Sequence, residues 1–427
     1  MSSTGTLIEP SNIRARFGTA LSDMYQREVP LYGDLLDIVA AVNARSIADQ
    51  QGRSEARIEV ERHGAIRVGT GQELALLARA FAVMGMTPVG YYDLSAAGVP
   101  VHSTAFRPVD EDALAANPFR VFCSLLRTEL INDSVLRAEA EAILARRSIV
   151  SQGTLVLIEQ AESQGGLDAQ QADAFIIALL ETFRWHEEAT VDLSTYERLA
   201  KEHRLVADIV AFRGPHINHL TPRTLDIDAV QVEMGRRGID AKQTIEGPPR
   251  RKVPILLRQT SFHALTEPVH FVGQSKDDTG AHTARFGEIE QRGAALTLKG
   301  RALYDRLLAQ ALAPSPEPYP HRLADAMAAF PDDMQQLIDE GLIFVRRVHD
   351  SQGQARLEPI TYEDFLPVSA AGIFQSNLGA DVRQAYDSRS SQAVFEAALG
   401  RSVEDPFALY EAIQAKSLAA QIADASA

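Results

Sequence analysis

Apolar and polar positions alternate in several short runs of this 427-residue chain and fall at helical spacing in much of the rest. ARIEVERHGAIRVGT alternates and ends at a Gly-Thr-Gly turn, and GQELALLARAFAVMG then carries Leu74, Leu76, Leu77, Phe81 and Met84 at a helical period. The pattern predicts a strand followed by a helix. TPVGYYDL and VPVHSTAFRPV predict two more strands around Ala96, Ala97 and Gly98. Ahead of these, 12–43 reads as helix, with Phe17, Leu21, Met24 and Tyr25 at helical spacing and a break at Pro30. Residues 110–205 are helical in pattern, including NPFRVFCSLLRTEL, and read as an insertion.

The first order then recurs. A strand around His219 precedes the helical LDIDAVQVEMGRRG and the strand candidates IDAKQTIE, VPILLRQTSF and ARFGEIEQRG. Two strand-helix-strand-strand units separated by an insertion suggest an internal duplication. The organisation expected is an N-terminal helical segment (1–55), a first module (56–109), the helical insertion (110–205), a second module (206–295), and a helical and mixed segment (296–427) that closes the site.

Composition narrows the function. Hydrophobic residues at 45% and charged residues at 23% are those of an ordinary folded protein. The net charge of −15 argues against a broad nucleic-acid-binding face, which needs clustered Lys and Arg, so small molecules are the expected partners. The single cysteine, Cys123, excludes an internal disulfide and a Cys-based zinc site, and reads as a buried apolar filler. No apolar run approaches the roughly 18 residues of a membrane span, and no secretory pattern opens the chain, so a cytoplasmic protein is expected.

Three runs concentrate chemistry: ERHGAIRVG at 61–69, RGPHINHLTPR at 213–223 and RFGEIEQRG at 285–293. As strands, the first puts His63, Ala65 and Arg67 on one face, and the third does the same for Phe286, Glu288, Glu290 and Arg292. In the second, His219 shares a face with Thr221 and Arg223, and His216 points the other way. Two histidines and a carboxylate on one rigid surface make the non-haem iron arrangement, which leaves the opposite side open. Each piece also has an ordinary reading: strand histidines often serve as core hydrogen-bonding groups, Glu-x-Glu is often a solvated strand face, and Arg67 can pair with an acidic neighbour such as Glu61. Glu288 and Glu290 share a face in any register, so alternation does not choose between them. Arg223, Gln259 and Arg292 fall on inward faces as possible supports of the ligands.

The runs RHGAIRVGTG, MGMTPVGYYDLSAAGVPVHSTAFRP, FRGPHINHLTPRTLDID, RFGEIEQRG and DFLPVSAAGIFQSNL together resemble the 2-oxoadipate dioxygenase/decarboxylase family, the D-2-hydroxyglutarate synthases. That family is related to the vicinal-oxygen-chelate proteins. The resemblance implies an α+β fold in which duplicated βαβββ modules form a central curved sheet around a metal, with a large helical insertion and peripheral helices. It implies Fe(II) held by His63, His219 and Glu288. Arg67 would bind the distal carboxylate of a 2-oxo dicarboxylic acid, and Val368 and Ser369 would close over the substrate beside the two histidines. The implied reaction consumes O2 and turns 2-oxoadipate into D-2-hydroxyglutarate and CO2, a step of lysine breakdown. Two other readings stand beside it: a non-redox metal-dependent lyase or isomerase, and a non-catalytic oxo-acid-binding protein. Oligomeric state is left open by the sequence.

Overall fold

The computed structural model describes residues 6–49, 57–275, 278–349, 353–366 and 388–424. Its centre is a five-stranded sheet built from β1 (Arg62–Val68), β2 (Thr87–Asp93), β3 (Val101–Arg107), β4 (Arg120–Leu126) and β5 (His219–Pro222), in spatial order β2-β3-β4-β1-β5. β1 lies parallel to β4 and antiparallel to β5. The helix Gly71–Val83 links β1 to β2 and begins in a capping box, in which Thr70 and Glu73 satisfy each other's backbone N–H groups.

Alternation along the strands sorts side chains onto two faces. Ile66, Val68, Val121, Cys123 and Leu125 pack into one core with the helices Gly71–Val83, Pro10–Glu28 and Pro30–Asp49. Val29 separates the last two, and Pro30 opens the second, where its missing N–H costs nothing. Ala65, Phe122 and Leu126 face a second core formed with Val253, Ile255, Leu256, Ala294, Phe344 and Phe365. His63 and Arg67 share this second face with Ala65, so the polar side chains of β1 open toward the C-terminal half.

That half supplies β6 (Leu257–Ser261), β7 (Thr266–Val269), β8 (Gly280–Thr283) and β9 (Glu288–Arg292), with β6 antiparallel to β9 and β7 antiparallel to β8. A bridge between Arg223 and Glu290 joins the end of β5 to β9, and another joins Glu246 to Gln259 of β6. The order of pieces from β5 is therefore strand, helix Ile227–Arg236, bridged segment, β6, the β7–β8 pair and β9, with β9 between β5 and β6. From β1 it is strand, helix, β2, β3, β4, with β4 between β1 and β3.

One expectation is overturned. Residues 117–130, read as helix within the insertion, contain β4, a central strand. Every residue of β4 is buried because both faces of the sheet are covered there, so its apolar run is continuous and carries no period of two. Cys123 sits in it as a buried free thiol. Among the described residues no helix is long and apolar enough to cross a membrane.

Candidate metal centre

Register brings the first two histidines together. Ala65 pairs with His219 and His63 with Thr221, so His63 and His219 emerge from neighbouring strands on one face, their rings 5.5 Å apart and nearly perpendicular. The chain can approach this closely because position 64 is glycine: a Cβ there would stand 2.7 Å from Ile217 Cδ1. β9 then delivers Glu288. Its Oε1 lies 3.2 Å from His63 Nε2 and 3.9 Å from His219 Nε2. All three side chains are buried, and their donor atoms lie within 4.8 Å of one another.

Glu288 Oε1 accepts from Gln259 Nε2 at 2.6 Å and from Thr221 Oγ1 at 3.2 Å. Its Oε2 is buried and has no hydrogen-bond partner among the described residues, and the same holds for His219 Nδ1. An unmatched oxygen on a buried carboxylate is costly unless a cation meets it. Burial, reinforced by neighbouring His63, pulls the His219 pKa down to about 4, which keeps its ring neutral and able to donate a lone pair. Metal–ligand bonds of about 2.1 Å place adjacent ligands about 3 Å apart. The His63–Glu288 separation matches that spacing and the His219–Glu288 separation needs a small closure, so these residues fit a divalent cation.

Glu290 is committed elsewhere. Its Oε2 lies 2.9 Å from His63 Nδ1, and Arg292 binds both of its oxygens at 2.7 and 2.8 Å. Burial opposes its ionisation, but Arg292 and His63 outweigh burial and hold the carboxyl far below the usual range. His63 is affected in the opposite sense: burial disfavours its charge, yet Glu290 and Glu288 raise its pKa above the ordinary histidine value. Arg292 in turn donates to the backbone carbonyls of Tyr362 and Asp364, 2.9 Å each. Phe365 places its ring edge-on to His63, with centroids 4.9 Å apart, and closes that side of the cluster. The two glutamates of β9 thus share a face and differ entirely in partners.

Arg67 does not pair with Glu61. The two are six positions apart, about 20 Å along an extended chain, and Glu61 is held by Arg120 and Arg223 at 2.9 Å each. Arg67 Nη1 instead donates to Asp208 Oδ2 at 2.7 Å. Gln259 and Arg292 do reach the carboxylates of β9, while Arg223 supports Glu61. His216 points away from His219 and toward Asp208, as alternation requires. His203 caps the helix Arg204–Val210 by accepting from Leu205 N. Trp185 packs on Phe212 and His282. Val368 and Ser369 lie outside the described residues. Asp208, His282 and Phe365 were not foreseen as site residues; the one hint for Asp208 was a lone charge inside the apolar run 205–212.

The profile of the 2-oxoadipate dioxygenase/decarboxylase family matches residues 17–377. The chain belongs to this family. The 2-oxoadipate dioxygenase/decarboxylase of Pseudomonas putida is 53% identical, the likeness covering 97% of each chain. A crystal structure of the hydroxyglutarate synthase from the same organism, in complex with 2-oxoadipate, superposes with a TM-score of 0.91 at 51% identity, covering 97% of this chain and 98% of that one. At lower identity, a glyoxalase-superfamily protein from Ralstonia eutropha shares the fold, with a TM-score of 0.52 at 20% identity over 69% of this chain and 87% of its own.

Proposed function

We propose that this chain is an Fe(II)-dependent 2-oxoadipate dioxygenase/decarboxylase, with His63, His219 and Glu288 as the metal ligands. The observation that carries the ligand set is the buried, unpartnered Oε2 of Glu288 between two histidines, one of them held neutral. The two strand-helix-strand arrangements, one from β1 and one from β5, are the duplicated βαβββ modules, each placing its last strand beside its first. Each module contributes a histidine from its first strand, and β9 contributes the carboxylate.

Iron bound there supplies the redox chemistry that lets dioxygen react with an organic acid. The chain's own residues do the rest. Glu290 fixes the orientation of His63 through Nδ1, and Gln259 with Thr221 fixes Glu288, so the ligands do not have to reorganise on binding. Phe365 and Phe286, packed on the two histidine rings, keep water from the reacting side. Arg67 lies on the face of His63, about 13 Å further along β1. Its side chain leans back and selects an acid with a distal carboxylate at a fixed distance. In the overall change, C1 of 2-oxoadipate leaves as CO2, C2 becomes the new carboxylate with one atom of O2, and C3 takes the other as a hydroxyl, giving D-2-hydroxyglutarate.

Anaerobic reconstitution with Fe(II), followed by oxygen uptake on a panel of 2-oxo acids, tests this reading. One O2 consumed per CO2 and per 2-hydroxyglutarate is expected, with 2-oxoadipate preferred. Turnover of the oxo acid without oxygen would make the chain a lyase or isomerase, and binding without turnover in iron-loaded protein would make it a binding protein.

A further inference from the structure

Asp208 is the only charged side chain in the run 205–212, and it is buried. Four groups from three parts of the chain hold it. His216 Nε2 and His282 Nε2 lie 3.1 and 2.9 Å from Oδ1, while Arg67 Nη1 and Asn218 Nδ2 lie 2.7 and 3.4 Å from Oδ2. His282 is fixed from behind by Tyr196, whose hydroxyl is 2.9 Å from Nδ1, and by Trp185, whose ring stacks on it at 5.8 Å. A carboxylate inside an apolar run is expensive to bury and contributes nothing to packing there that an alanine or leucine would not. Its one permanently charged partner is Arg67. That guanidinium is bound through Nη1, and its remaining N–H groups find no hydrogen-bond partner among the described residues.

We propose that Asp208 is a positioning residue: it clamps one nitrogen of Arg67 so that the other nitrogens present a fixed fork to the distal carboxylate of the substrate. The helix Arg204–Val210 and the cage of His216, His282, Tyr196 and Trp185 are then the part of the fold that sets selectivity for dicarboxylic oxo acids. A free arginine side chain samples many rotamers, and a clamp removes that freedom before the substrate arrives. This inference rests on Arg67 reading the distal carboxylate.

Steady-state kinetics of Asp208→Asn on 2-oxoadipate and on 2-oxohexanoate, which has the same chain length and no distal carboxylate, separate the possibilities, with metal content measured in each preparation. Expected is a KM for 2-oxoadipate raised about 10-fold, as for loss of other supporting contacts. Metal content, kcat and the kinetics on 2-oxohexanoate should stay near wild type. In an Arg67→Ala background, Asp208→Asn should add nothing, because it acts through Arg67. Should Asp208→Asn fail to fold, Tyr196→Phe removes only the hydroxyl behind His282 and should raise the same KM by about 2- to 3-fold. Equal losses on both substrates, loss of metal, or a lowered KM for 2-oxoadipate would overturn the inference, the last by showing that Asp208 merely neutralises Arg67. If Arg67→Ala alone is unselective between the substrates, the reading of Arg67 falls. If Arg67→Ala is selective and Asp208→Asn is not, only the clamp falls.

Discussion

Two histidines and one carboxylate meet twice among the described residues, once around Glu288 and once around Asp208, and what their atoms touch separates the two. Both oxygens of Asp208 and both ring nitrogens of His282 have partners, and a guanidinium supplies the countercharge. Around Glu288 the neighbours are a hydroxyl, an amide and two histidines, and one carboxylate oxygen is left buried and bare. A carboxylate already matched by protein donors has nothing left to offer a metal without breaking bonds. A carboxylate held from one side and bare on the other can still meet a cation, and on that ground we propose Glu288 as the ligand. On this proposal identical donor sets serve different ends, and the unsatisfied atom separates them where the residue types do not.

The largest expected effect follows directly. His63→Ala, His219→Ala and Glu288→Ala should each lose bound metal and turnover, whereas His282→Ala should keep its metal, with metal content read by mass spectrometry on the folded protein. Loss of metal in His282→Ala and its retention in Glu288→Ala would reverse the assignment. Next is the pair on β9. Glu290→Ala should weaken metal affinity by about 10- to 100-fold, the usual cost of removing a group that orients a ligand. If it abolished binding while Glu288→Ala kept it, the roles of the two glutamates would be exchanged.

Arg67→Ala should keep the metal and lower kcat/KM for 2-oxoadipate by roughly 10- to 100-fold, from a charge-assisted contact of about 1.5–3 kcal/mol. Arg67→Lys should recover part of that, since it keeps the charge and loses the planar fork. Equal losses on 2-oxohexanoate would show that Arg67 supports the fold and does not read the substrate.

The smallest effect concerns acid stability. Burial opposes the charge of Asp208, but His216 and Arg67 outweigh it and hold the carboxyl well below its ordinary range. A carboxyl depressed on folding contributes stability that is fully present above its unfolded pKa, near 3.9, and is lost as pH falls through the folded value. Between pH 5 and 3 the wild type should therefore lose about 1 kcal/mol more stability than Asp208→Asn. Chemical denaturation at the two pH values checks this, and parallel losses would show that the carboxylate is not held as charge.

Much of the first cluster was legible because strands alternate: parity alone put His63 with Arg67 and His219 with Thr221, and turned His216 away. Parity could not separate Glu288 from Glu290, because the distinction lies in tertiary partners, Arg292 and His63 on one and a bare oxygen on the other. β4 escaped notice for a related reason: with both faces buried, its sequence carries no alternation to read. The second cluster was hidden more deeply. Asp208 is a lone charge in the apolar run 205–212, His282 lies on the short strand β8, and these two partners are 74 positions apart in the chain.

A single metal held by the Glu288 cluster alone is the claim on which the rest depends. Anaerobic equilibrium dialysis against Fe(II) of the wild-type chain, Glu288→Ala and Asp208→Asn, with metal counted per folded chain, measures it. One equivalent in the wild type, none in Glu288→Ala and one in Asp208→Asn is the expected result. Two equivalents in the wild type with one left in each variant, or metal kept by Glu288→Ala and lost by Asp208→Asn, would contradict it.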